Sequence, residues 1–162
     1  MTTPRLPTIR RLVCDPPRLV IDWKGGGRDT VDFTGMIARD PLFAALADVD
    51  VFAAARIIDF GIAVGWDAAR ELSGTTLKRM ADAQRAMTAD EFKSFQSANN
   101  ISNAETAVLI DRGITAIKEY RSGRQPIPAG VATVVRAMAD DPIIFAAHYR
   151  PAAPAGRPRK HA

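Results

Sequence analysis

The residues best equipped for chemistry lie between Asn103 and Arg124. The Asn103 amide and Thr115 hydroxyl can hydrogen-bond base edges or phosphates, and Lys118, Arg121 and Arg124 can reach phosphates. Ile114 can touch a thymine methyl. The same set also suits the solvated face of a small helical domain. Groups that would signal catalysis or metal binding are scarce: two histidines and one cysteine make no zinc cluster. Cys14 has no evident histidine partner and reads as a half-buried small side chain rather than a nucleophile. Asp22, Asp29 and Asp32 could suggest a carboxylate pair but read as the solvated face of a hairpin. His148 reads as a cation at a helix C-terminus, and Trp23 and Trp66 as cover for a core. We therefore expect neither an enzyme nor a cofactor.

The candidate side chains must be positioned by the stretch from Met87 to Pro128. Thr88-x-x-Glu91 and Ser102-x-x-Glu105 are capping boxes, each opening a helix. Asn99-Asn100 between them tolerates the left-handed backbone that ends a helix. Asp111-Arg112-Gly113 then makes a tight connection into a third helix ending at Ser122-Gly123, with Ile117 and Tyr120 facing its core. Two short helices across such a turn form a helix-turn-helix, whose second member can enter a DNA major groove. Pro126-Ile-Pro128 starts a fourth helix, with Val131, Val134, Val135 and Met138 on one apolar face, and Asp141-Pro142 caps a fifth.

The run Ile101-Ser102-Asn103-Ala104-Glu105-x-Ala107, followed by Ile117-x-x-Tyr120-x-Ser122-Gly123-x-x-Pro126, resembles the λ-repressor/Xre family of helix-turn-helix domains over Met87 to Arg150. The chain departs from that pattern at Asn103 (glutamine in the family), Asp111 (glycine), Arg112 (apolar), Gly113 (serine) and Arg121 (glutamate). Ile114 and Thr115 fall on the first exposed recognition positions. The resemblance implies double-stranded DNA as partner and Asn103, Ile114, Thr115, Lys118, Arg121 and Arg124 as contact residues.

Upstream, Ile9–Cys14, Arg18–Trp23 and Arg28–Phe33 read as strands, the last two joined by Lys24-Gly25-Gly26-Gly27 as a hairpin. A phosphate-cradling loop would need a helix directly after those glycines. Asp40 and Pro41 suggest an N-cap and first helical position, Arg56–Trp66 a second hairpin turning at Phe60-Gly61, and Ser73 the start of a helix to about Arg85. This order, with Val31, Asp32, Phe33, Pro41, Leu42, Phe43, Leu46, Phe52, Gly61, Trp66 and Leu77, resembles a small bacterial domain of unknown function found near toxin–antitoxin genes.

Bulk composition agrees with a cytoplasmic globular protein: 47% hydrophobic, 25% charged and a single cysteine. No apolar run approaches the ~20 residues of a membrane span, and Met1-Thr-Thr-Pro-Arg lacks a secretory apolar region. Residues 86–150 are neutral, with seven basic and seven acidic side chains. Most of the net +4 therefore comes from Arg157, Arg159 and Lys160. Even so, Arg112, Lys118, Arg121 and Arg124 make a basic strip, which sets a salt slope of about −3.6 per module if all four meet phosphates.

The expected fold class is thus α+β: a small antiparallel-sheet domain (1–85), an all-α five-helix repressor-like domain (86–150) and a disordered tail (151–162). The expected function is a DNA-binding, antitoxin-like transcriptional regulator, acting as a homodimer through its N-terminal sheet, with a toxin as possible partner protein. The alternative is a protein-interaction module that keeps the helix-turn-helix fold without sequence-specific reading.

Overall fold

The computed structural model describes residues 6–151, so the tail expectation at 152–162 lies outside the described residues. The class is α+β, as the strand and helix signals imply. The chain divides between Arg85 and Ala86 into two compact units.

In the first unit, β1 (Ile9–Asp15), β2 (Arg18–Trp23) and β3 (Arg28–Asp32) form an antiparallel sheet in the order β1-β2-β3. Period-two alternation places Leu19, Ile21 and Trp23 on the buried face of β2, beside Val31 of β3. Gly26 and Gly27 take positive φ in the hairpin, as the triple glycine predicts. Helices α1 (Thr34–Arg39) and α2 (Val49–Ala53) follow, the latter capped by Asp48, whose side chain accepts from the Asp50 and Val51 amides. Asp40 accepts from the Leu42 amide but opens a turn, and the short 3-10 helix begins only at Ala44.

A second antiparallel sheet joins β4 (Arg56–Ile58), β5 (Ala63–Gly65) and β6 (Glu71–Ser73). The hairpin β4–β5 follows from the sequence pattern, whereas the three-residue β6 is too short to show an alternation. Ser73 then caps α3 (Gly74–Gln84) by accepting from the Thr76 amide. Phe33, Phe52 and Trp66 pack edge-to-face at centroid separations of 5.6–6.2 Å. The Trp66 indole donates to the Phe52 carbonyl at 3.0 Å, so this buried ring leaves no polar atom unpaired.

The three aspartates of the first hairpin do not form a solvated face. Asp22 is buried because its cross-strand partner Arg28 folds over it, with N–O distances of 2.6 and 3.1 Å. Asp29 shares the parity of Val31 and therefore faces the core, where it accepts from the Trp23 indole at 2.6 Å and Lys78 at 2.8 Å. Asp32 is exposed and accepts from the Thr34 amide.

The second unit has five helices among the described residues: α4 (Ala89–Ala98), α5 (Asn103–Leu109), α6 (Ile114–Ser122), α7 (Ala129–Asp140) and α8 (Pro142–His148). Both capping boxes close in both directions. Each glutamate then uses its other oxygen to hold a later segment. Glu91 Oε1 accepts from Arg136 Nε of α7 at 3.1 Å, and Glu105 Oε1 from the Tyr149 hydroxyl, just past α8, at 2.5 Å. Phe92, Phe95, Ile117, Tyr120, Val131, Val135 and Met138 fill the core. Val134, expected on that face, is 41% exposed; Ala132 takes its place in the buried set.

Candidate functional site

Helix α6 reaches the surface on one stripe because its other side is the core. Ile117 and Tyr120 are buried, while Ile114, Thr115 and Lys118 are exposed. The helix starts without a side-chain cap at Gly113, after Asp111 has turned the chain with a φ of 50°. It stops at Gly123, whose φ of 72° is the left-handed C-terminal conformation. The Arg124 amide bonds back to the Glu119 carbonyl, and its side chain lies on the surface just past the helix. Across the turn Ile110–Gly113, α5 ends where α6 begins, so the two short helices and their connection stand as the spacing implies.

The six candidate side chains separate into two groups. Ile114, Thr115, Lys118 and Arg124 are exposed, and none of their side chains makes a hydrogen bond or ion pair among the described residues. Asn103 and Arg121 are instead part of an internal polar network. Arg121 Nη1 donates to Gln96 Oε1 at 2.8 Å and to Asn103 Oδ1 at 3.4 Å. Gln96 Nε2 donates to Asn103 Oδ1 at 3.2 Å and to the Thr106 hydroxyl at 2.7 Å, and that hydroxyl in turn donates to the Ser102 carbonyl at 2.8 Å. One guanidinium thus ties α6 to α4 and to the start of α5.

Gln96 and Thr106 were not among the sequence candidates, although a signal existed. Gln96 follows Phe92 and Phe95 on the apolar face of α4, and a buried amide there requires polar partners. Arg112, also in the basic strip, is exposed and donates to the Asp111 carbonyl at 2.8 Å. The exposed cations around α6 are therefore Arg112, Lys118 and Arg124. The exposed apolar neighbours are Ile114 and Val108, 45% and 62% accessible.

The Tyr149–Glu105 bond braces the same region. Glu105 beside the hydroxyl holds the Tyr149 phenol above its ordinary range, with burial adding to the effect. The carboxylate that caps α5 is thereby fixed from two directions. Among the described residues no helix is long and apolar enough to cross a membrane.

No protein-family model matches this chain, and neither does any curated protein. Among solved structures, it is similar to "Putative DNA Binding Protein NE0471" from Nitrosomonas europaea ATCC 19718, with a TM-score of 0.47 and 20% identity. The match covers 86% of this chain and 90% of that one. A likeness of this extent leaves the assignment to the residues themselves.

Proposed function

We propose that the chain is a cytoplasmic DNA-binding transcriptional regulator, antitoxin-like in type, in which α5 and α6 form a helix-turn-helix and α6 enters the major groove. The observation that carries this reading is the outward stripe of α6: Ile114, Thr115 and Lys118 are exposed while Ile117 and Tyr120 anchor the helix from behind. A major-groove helix needs an outward face with base-contacting side chains near its start and cations at its flanks. Here the former are a hydroxyl and an apolar side chain, able to bond a base edge and to touch a thymine methyl. In this reading Thr115 and Ile114 face base edges, and Arg112, Lys118 and Arg124 neutralise phosphates. Asn103 and Arg121 act from behind, by fixing α6 against α4 and α5.

The regulator acts as a homodimer, because one such module makes a small interface and paired modules read half-sites about 34–36 Å apart. The first unit serves as the dimerisation or ligand module. A toxin partner is supported only by the resemblance of that unit to domains found beside toxin–antitoxin genes. No catalysis and no cofactor are assigned.

The exposed Val108 and Ile114 favour a second reading, in which the same surface binds a protein rather than DNA. Gel-shift titration of the full chain against mixed-sequence duplex separates the two. Retardation that weakens with salt supports the regulator, and no retardation at low salt leaves the protein-interaction module.

A further inference from the structure

The turn between β4 and β5 carries a feature that neither the core nor the α6 surface explains. Asp59, Phe60 and Gly61 take φ values of 50°, 57° and 97° in succession. Left-handed backbone is uncommon for a bulky aromatic residue. Phe60 is nevertheless 100% exposed, although Phe33, Phe43, Phe52 and Trp66 of the same unit are all buried.

The turn is held from several sides. Gly61 is packed so closely on β1 that a Cβ there would lie 2.7 Å from the Ile9 carbonyl oxygen. The Ile62 amide bonds to the Asp59 carbonyl, the Gly74 amide to the Ile62 carbonyl, and Lys24 Nζ reaches the Phe60 carbonyl at 3.4 Å. An exposed aromatic ring on an anchored, strained turn is a preorganised contact rather than a loose loop tip. Ile57 and Ile62 widen the apolar surface, at 37% and 43% accessible. A shallow groove of about 430 Å³ opens along the ring, walled by Phe60 and Asp59 themselves together with Ile57, Arg10 and Lys24.

We propose that Phe60 is a self-association knob that seats in this groove on a second copy of the chain. Charge selects that occupant. Asp59, Arg10 and Lys24 all border the groove, and none of the three makes an ion pair among the described residues, although Arg10 lies close enough to Asp22 to act on its carboxylate. A knob, a groove, an acid and two cations on one patch are self-complementary under a two-fold axis, with each Asp59 meeting the cations of the other copy. The apolar contact comprises one ring and two isoleucines per copy, so the proposed dimer is a weak one, read from its concentration dependence. The inference rests on the homodimer part of the reading above and is independent of DNA.

The test is sedimentation velocity and light scattering of the full chain across a concentration series. Wild type is expected to approach twice the 17.5 kDa chain mass. Phe60→Asn, which suits left-handed backbone and so keeps the turn, is expected to raise the dissociation constant at least ~10-fold at an unchanged or higher Tm. Added salt should weaken the wild-type dimer but not the Asp59→Asn dimer, in which only cations would remain at the contact and salt screens their repulsion. A wild type that stays monomeric at tens of micromolar overturns both this contact and the homodimer reading. A dimer that Phe60→Asn leaves intact overturns the contact alone. Equal salt sensitivity in wild type and Asp59→Asn overturns the charge pairing.

Discussion

Arg121 of α6 donates to Gln96 of α4 at 2.8 Å, and Gln96 is 1% exposed. The guanidinium therefore satisfies a buried carbonyl oxygen that has no access to water. Its role is to hold α6 in place, and its charge is turned toward Gln96 and Asn103 rather than left free on the surface.

Arg121→Ala should cost about 1–3 kcal/mol in urea unfolding, since it leaves the Gln96 oxygen unsatisfied. Arg121→Lys should rescue little, because one ammonium cannot reproduce the planar fork. The double variant with Gln96→Leu should be less harmful than the sum of its parts, with a coupling of about 0.5–3 kcal/mol. Additive losses would show that the two side chains act separately.

A single alanine at Gly61 should destabilise the first unit by more than ~1 kcal/mol. Its φ of 97° is unsuited to an L side chain, and the new Cβ would meet backbone that cannot move aside. Thermal unfolding of Gly61→Ala beside wild type measures the loss; an equal Tm would mean that the turn lies farther from β1.

Acid should weaken the first unit through three carboxylates. Arg28 bonded to Asp22 holds that carboxyl below its ordinary range. The bonds from Thr34 do the same for Asp32, and the Ala69 amide, with smaller help from Arg70, for Asp67. Lowered folded-state values mean that the unfolded chain takes up protons first. This stability is therefore complete above the ordinary aspartate value of about 3.9 and is lost as pH falls through the lower folded values. Tm measured against pH should fall steeply below about pH 4, and Asp22→Asn should flatten that limb while lowering stability at neutral pH.

Tyr149 gives the opposite sign. Its raised phenol contributes stability that is complete below the ordinary tyrosine value of about 10 and lost as pH rises through the higher folded one. Ultraviolet titration should show the Tyr149 phenol ionising above the ordinary tyrosine value. Tyr149→Phe should remove that transition and the associated loss of stability in alkali. A Tyr149 that ionises at the ordinary value would mean that the bond to Glu105 is not formed in solution.

The parts legible in advance are those whose cause is local. The capping boxes at Thr88 and Ser102, the left-handed residues Asn100 and Gly123, and the buried pair Ile117 and Tyr120 each follow from neighbours within a turn or two. Side-chain networks across distance were not legible. Nothing near Arg121 in sequence points to Gln96, twenty-five residues earlier, and Asn103 meets both only after three helices have packed. Asp29 departs from the expected solvated face for a simpler reason: it shares a face with Val31, and its burial depends on the distant Lys78 and the nearby Trp23 indole.

The measurement that bears most directly on α6 as the DNA-reading element is a gel-shift titration at several salt concentrations. With Arg112, Lys118 and Arg124 as the exposed cations, log affinity should fall against log salt with a slope of roughly −2.7 per module. Lys118→Ala should reduce the slope by about 0.9, whereas Arg121→Ala should weaken binding without changing it. Thr115→Ala should relax sequence choice at nearly constant slope, within the ~1–3 kcal/mol that one base contact provides. Duplex DNA that wild type fails to retard even at the lowest salt would contradict the account.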